Sequence, residues 1–223
     1  MSIFLAGAFF GTKYTLYRLH KALEEAGVDF EEEEKLEIKN QEYEVKLNNL
    51  AEIQSELIKV IPENKLGIFS LFYLPNNLLL FSSIKVLRDA LVHLQLQNYV
   101  RGFAFLILPP STKLPIHQDI GKFKWSLNIP LQVIPGCFLK LYTNFNGIVE
   151  TVKLPDGNIF HKHESENCNL IEVHDTITPY FFNTSIPHTV ENCSEVDQIQ
   201  LLIRFDSIDP AAEHIINEHN QKR

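Results

Sequence analysis

The sequence predicts an α+β fold: a jelly-roll β-core preceded by helices and closed by a short C-terminal helix. Three observations lead there. Residues 1–100 carry mainly helical periodicity. After Gly102 the chain breaks into eight short apolar or alternating runs punctuated by Pro, Gly and Asn, the rhythm of an antiparallel sandwich or barrel. Beyond them, Asp209 and Pro210 form a helix start, with Asp as cap and Pro at the first helical position.

Taken in order, residues 2–10 are an apolar lead-in, read as a strand or a buried segment. Residues 12–26 predict a helix capped by Thr12, with Tyr14, Leu16, Leu19 and Leu23 at helical spacing and Gly27 as the stop. Residues 31–34 are a solvated charge run. Residues 49–60 predict an amphipathic helix closed by Pro62, and 67–74 a strand followed by a turn at Pro75. Residues 82–97 predict another helix, capped by Ser82 or Ser83. The β-runs are 103–108, 124–133, 137–142, 148–154, 169–173, 180–183, 188–192 and 198–205, and a helix at 209–219 closes the chain. With no internal repeat and no linker, this predicts one domain: a helical elaboration (1–100), a β-core (101–208) and a C-terminal helix (209–223).

Bulk properties narrow the function classes. The net charge is −8 with no basic stripe, so a nucleic-acid partner is not expected. Cys137, Cys168 and Cys193 are odd in number and make no C-x-x-C, which argues against a disulfide framework or a thiolate zinc site. The apolar N-terminus lacks a basic n-region, and no apolar run reaches membrane-spanning length. The expectation is a soluble cytoplasmic protein.

Three strands show a clear alternation of faces. Trp125, Leu127, Ile129 and Leu131 oppose Lys124, Ser126 and Asn128. Cys137, Leu139 and Leu141 oppose Phe138, Lys140 and Tyr142. Ile199, Leu201, Ile203 and Phe205 oppose Gln198, Gln200, Leu202 and Arg204. Either the apolar faces form the core and the polar faces meet water, or helices cover the apolar faces and the polar faces line the interior. The two arrangements predict opposite exposure for Lys140 and Arg204.

The chemistry-bearing stretch is residues 114–119, Leu-Pro-Ile-His-Gln-Asp. On an extended strand His117 and Asp119 share a face. His188, 69 residues beyond Asp119, is the second imidazole that would complete a two-His, one-carboxylate set, which leaves coordination positions open on a non-haem Fe(II). A rival pair is His161 and His163, with His174 nearby, in a stretch that reads as an exposed hairpin tip. Trp125 is read as core.

These residues resemble the Fe(II)/2-oxoglutarate-dependent dioxygenases, in the branch that includes aspartyl/asparaginyl β-hydroxylases. The resemblance runs from about Phe103 to Phe205. It rests on Ile116-His117-Gln118-Asp119, then Leu127-Asn128-Ile129-Pro130, then Phe182 followed by His188-Thr189-Val190-Glu191-Asn192, in that order. It implies a double-stranded β-helix (a cupin-like jelly roll), iron held by His117, Asp119 and His188, and 2-oxoglutarate as cosubstrate. Relatives place a basic residue about ten positions after the distal His; here that position is Gln198, and Arg204 follows at sixteen. Arg204 is therefore the first choice for the cosubstrate carboxylate, through a bidentate fork, with Lys140 in reserve and Ser126, Asn128 and Tyr142 as helpers. The reaction implied is hydroxylation of a C–H bond in a peptidyl side chain or a small molecule. The alternatives are a cupin-like metal-binding protein, such as an isomerase or ligand sensor, and a non-catalytic interaction module. The loops 111–114, 144–147 and 156–167 are the candidates for contacting substrate; oligomeric state is not legible.

Overall fold

In the computed structural model of the protein, the described residues are 42–67, 69–73, 84–120, 123–144, 148–153 and 159–205. The predicted helices 12–26 and 209–219, the lead-in 2–10 and the charge run 31–34 lie outside them.

Thirteen strands are described: β1 (Glu42–Glu44), β2 (Ser70–Tyr73), β3 (Val100–Leu108), β4 (Thr112–Lys113), β5 (His117–Asp119), β6 (Trp125–Pro130), β7 (Cys137–Asn144), β8 (Ile148–Lys153), β9 (Ile159–His163), β10 (Cys168–Asp175), β11 (Tyr180–Asn183), β12 (His188–Asn192) and β13 (Gln198–Phe205). Two helices precede β3: α1 (Leu50–Ile58) and α2 (Lys85–His93). The helix α1 starts at Asn49, whose φ of 59° is a left-handed conformation that Asn tolerates well. Helix α2 is shorter than the predicted 82–97, because Gln95 turns left-handed at φ 58°. Leu96 N–H then donates to Leu91 O and Gln95 N–H to Val92 O, a Schellman end with Gln where Gly is usual. The position before the helix is Ile84, with no side-chain cap; Ser82 and Ser83 lie outside the described residues.

The strands make two antiparallel sheets. One runs β1-β11-β6-β13-β3-β2 and the other β10-β7-β12-β5-β9-β8, with the short β4 pairing β12. Successive strands cross from sheet to sheet: β3 lies in the first, β5 in the second, β6 in the first, β7 and β10 in the second, then β11, β12 and β13 alternate. This winding is the double-stranded β-helix, an α+β jelly-roll core. β8 and β9 pair with each other and extend the second sheet beyond β5.

The two sheets settle the question of faces differently. On the first sheet the apolar faces point away from the second sheet. Leu127, Ile129, Phe181, Leu201, Ile203 and Phe205 share one buried cluster with Ile53 and Leu57 of α1 and Leu87 and Leu91 of α2. The opposite faces point inward, and there Ser126 and Gln200 are fully buried and Asn128 is 3% exposed. On the second sheet the apolar faces point inward: Leu139, Leu141 and Val190 pack with Tyr180 and Phe182. Seven consecutive residues of β3 are buried because that strand is covered on both sides.

Candidate metal centre

His117 and His188 are direct cross-strand partners on β5 and β12. Their rings stand 4.4 Å apart between centroids, inclined at 49°. Each is oriented in the same way. The Nδ1 of His117 lies 2.8 Å from Pro115 O, and that of His188 lies 2.8 Å from Ile186 O. A carbonyl oxygen only accepts, so both Nδ1 atoms carry the proton and both Nε2 atoms keep a lone pair. In both cases the carbonyl is two residues upstream: Pro115 itself supplies it to His117, and Pro187 stands between Ile186 and His188. Phe160 meets the His117 ring edge-on at 5.5 Å, and Phe182 meets the His188 ring edge-on at 5.0 Å.

Asp119 follows His117 on the same face of β5. Its N–H donates to Thr184 O, which ties the acid to the turn preceding His188. That turn is built locally: Ser185 N–H donates to the Asn183 side chain at 2.9 Å and Ile186 N–H to Asn183 O. The Asp119 carboxylate is met from the first sheet by Arg204, whose Nη1 donates to Oδ2 at 2.9 Å. The two side chains are 22% and 11% exposed.

The charges follow from these contacts. Burial, reinforced by the neighbouring His117, lowers the His188 pKa to about 3. Burial also lowers that of His117, against a partial counter-effect from Asp119 and the Pro115 carbonyl. Burial alone would raise Asp119, but Arg204 and then the two histidines outweigh it and hold the carboxyl below its usual range. At neutral pH the group is two neutral imidazoles, one carboxylate and one guanidinium. Imidazole nitrogens with free lone pairs beside a carboxylate fit a divalent first-row metal in donor type and charge. They do not form a closed three-ligand cluster: no group of three His, Cys, Asp or Glu converges on one point among the described residues. The Asp119 carboxylate is engaged by Arg204 instead.

The remaining predicted residues fall into two places. Ser126 and Asn128 lie in the interior, within a buried network: Ser126 Oγ donates to Asn128 Oδ1 at 2.5 Å, Asn128 Nδ2 to Tyr180 Oη at 3.0 Å, and Tyr180 Oη to Gln200 Oε1 at 2.9 Å. Lys140 and Tyr142 are not brought to the histidines. They alternate with the inward Leu139 and Leu141, so they lie on the outer face of β7, where Lys140 pairs with Glu191 at 2.6 Å. Lys113 binds the same Glu191, and Lys124 is exposed. The face prediction therefore divides: the Arg204 side chain is inward and 11% exposed, whereas Lys140 is outward and 24% exposed.

The rival histidines are separated. His161 and His163 share the face of β9 opposite Phe160 and Lys162, which lie across from Asp119 and His117; His161 bonds Thr151 at 2.9 Å. His174 sits on β10 and packs its ring 5.0 Å from Tyr180. The stretch expected as an exposed hairpin tip divides: His161 and His163 stand on a strand paired on both sides, while Glu164 and Glu166 beyond it are exposed. Sequence reasoning missed Tyr180 and Gln200 as interior network members, although Gln200 stands on the polar face of a strand whose alternation it read. Asn192, quoted only as part of the resemblance, is a structural staple: its Nδ2 donates to Leu108 O, Pro109 O and Val196 O, and its Oδ1 accepts from Ser194. Trp125 stacks on Phe181 at 5.1 Å and packs against the helix-covered cluster, away from the histidines.

Comparison with known proteins leaves the family open. No protein-family profile and no curated protein matches the chain. Similar solved structures include AviO1 from Streptomyces viridochromogenes Tue57, at 11% identity over 77% of this chain and 91% of that one, TM-score 0.46. A Pseudomonas putida prolyl-4-hydroxylase is 13% identical over 75% and 92%, TM-score 0.40. A Bacillus subtilis oxalate decarboxylase is 9% identical over 67% of this chain and 28% of that one, TM-score 0.34. The chain thus spans under a third of the oxalate decarboxylase. Likenesses this weak carry no functional argument. No helix among the described residues is long and apolar enough to cross a membrane.

Proposed function

We propose that the protein is a non-haem Fe(II)- and 2-oxoglutarate-dependent oxygenase that hydroxylates a C–H bond of a small molecule or a peptidyl side chain. The observation that supports this most is the matched pair of imidazoles, each fixed by a backbone carbonyl in the tautomer that leaves Nε2 free, with an ionised carboxylate on the same strand face. His117, His188 and Asp119 would hold the metal. When bound, Fe(II) with 2-oxoglutarate and dioxygen supplies the oxidising power for C–H hydroxylation. The chain's own part is orientation and exclusion. The carbonyls of Pro115 and Ile186 fix the rings, Phe160 and Phe182 wall them from water, and Arg204 provides the cation nearest the site for a ligand carboxylate.

The test is succinate formation from 2-oxoglutarate by the Fe(II)-loaded protein, with wild type and His188→Ala compared. Succinate from wild type alone supports the reading. Metal binding without 2-oxoglutarate turnover would favour the second reading, a cupin-like metalloprotein acting as an isomerase or ligand sensor. The engagement of Arg204 by Asp119 specifically favours that alternative, because it occupies the cation a keto acid would need.

A further inference from the structure

We propose that Arg204 makes metal binding and carboxylate binding at this site mutually reinforcing, by exchanging its partner. This rests on the reading of His117, Asp119 and His188 as metal ligands. Arg204 holds the Asp119 carboxylate at 2.9 Å between side chains that are 11% and 22% exposed. A metal that draws on this carboxylate competes with the guanidinium. Once the metal wins, Arg204 is a nearly buried cation without its counter-ion, a costly state. A carboxylate ligand relieves it. In the reverse order, a carboxylate that takes Arg204 releases Asp119 to the metal. Two ligands that each favour the same split of one ion pair must raise each other's affinity by the same factor.

Among the described residues, little else faces Arg204 that could neutralise it. Its cross-strand partner is Ser126, whose hydroxyl is committed to Asn128. The two imidazoles are neutral at neutral pH and offer no charge. The inward neighbours along β13 are Leu202 and Gln200, and the Gln200 Nε2 is a buried donor with no hydrogen-bond partner among the described residues; it can serve an anion but cannot neutralise a cation.

The experiment is Mn(II) titration of the full chain, with free Mn(II) followed by electron paramagnetic resonance, with and without glutarate. Glutarate is a dicarboxylate with no keto group to chelate the metal. The expected result is that glutarate tightens Mn(II) binding by about five-fold or more in wild type. Arg204→Met should bind Mn(II) tighter than wild type by a similar factor without any anion, and should ignore glutarate. Arg204→Met binding no tighter than wild type, or an undiminished glutarate effect in that variant, overturns the proposal. If Arg204→Met does not fold, the wild-type titration decides alone, since absence of a glutarate shift there is equally fatal. His188→Ala separates this failure from that of the parent reading. Mn(II) binding that survives His188→Ala removes the metal site itself, whereas binding lost in His188→Ala but unaltered in Arg204→Met removes only the coupling.

Discussion

The two sheets that face each other across the interior solve opposite problems with the same kind of strand. In β13 and β6 the apolar residues point outward, and α1 and α2 cover them; the polar residues are turned inward, where Ser126, Asn128 and Gln200 join Tyr180 of β11 in one hydrogen-bonded network, with Gln200 Nε2 left without a partner among the described residues. In β7 the apolar residues point inward, and Phe138, Lys140 and Tyr142 form the outer face. The first sheet thus brings a polar network into the interior beside the apolar Phe182 and Leu202, while β7 brings only apolar side chains; the two histidines stand on the second sheet and Arg204 reaches across from the first. Alternation tells which residues share a face. What covers that face decides which way it points, and the covering elements lie far away in the chain.

The comparison can be broken most forcefully where helices cover the first sheet. Leu201→Ala empties a fully buried position beneath α1 and α2 and should destabilise by about 2–5 kcal/mol, read as a lowered urea midpoint at unchanged slope. A loss below about 1 kcal/mol would mean that this face is not the packed one.

The polar network should answer next. Asn128→Ala removes a member that contacts Ser126, Tyr180 and Gln200, and leaving buried partners unsatisfied should cost about 1–3 kcal/mol. The same change in a water-exposed row would be close to neutral, so a null result would move this network out of the interior.

The pH response tests the second sheet, where the histidines stand. The unfolded His188 titrates near 6.5, and the folded one near 3. Between those values the unfolded chain binds a proton that the folded chain refuses, so metal-free stability falls as pH falls through that window. One such group contributes about 1.4 kcal/mol per pH unit; His117, also lowered, acts in the same direction, and Asp119, lowered from 3.8, adds its loss only at pH values below that. Urea unfolding in EDTA at pH 7 and pH 5 should show the loss, and His188→Leu should flatten it. An equally steep dependence in that variant would mean the ring is not buried neutral.

The smallest effect is expected outside. Lys140→Met breaks a partly exposed pair with Glu191, which Lys113 also serves. It should change stability by no more than about 1 kcal/mol and leave metal affinity as it was. A loss of metal affinity would put Lys140 back at the site.

Much of this architecture was legible in the residues themselves. β11, β12 and β13 have the predicted bounds, and the pairing of His117 with Asp119 on one face follows from strand geometry alone. The prolines upstream of His117 and His188 were visible too, though not that each ring would bond a carbonyl two residues back. Three features were not read from the sequence. The 42–47 stretch alternates Glu42, Glu44 and Lys46 with Tyr43, Val45 and Leu47, a strand signal, and residues 42–44 become an edge strand by pairing with β11. The stretch from His161 to Glu166 read as an exposed tip because of Lys162, Glu164 and Glu166, but β5 and β8 hold residues 159–163 on both sides. The Arg204–Asp119 contact joins residues 85 apart, and only the winding of the two sheets brings them together. Lys140 looked equivalent to Arg204 because both stand on polar rows; that α1 and α2 cover the first sheet could not be read locally.

The most direct measurement is metal content after loading with Fe(II) or Co(II) and removal of the excess, taken for wild type, His188→Ala, Asp119→Ala and His161→Ala. One ion per chain is expected in wild type and His161→Ala, and none retained in His188→Ala or Asp119→Ala. Metal kept by His188→Ala, or lost from His161→Ala, would contradict this site assignment.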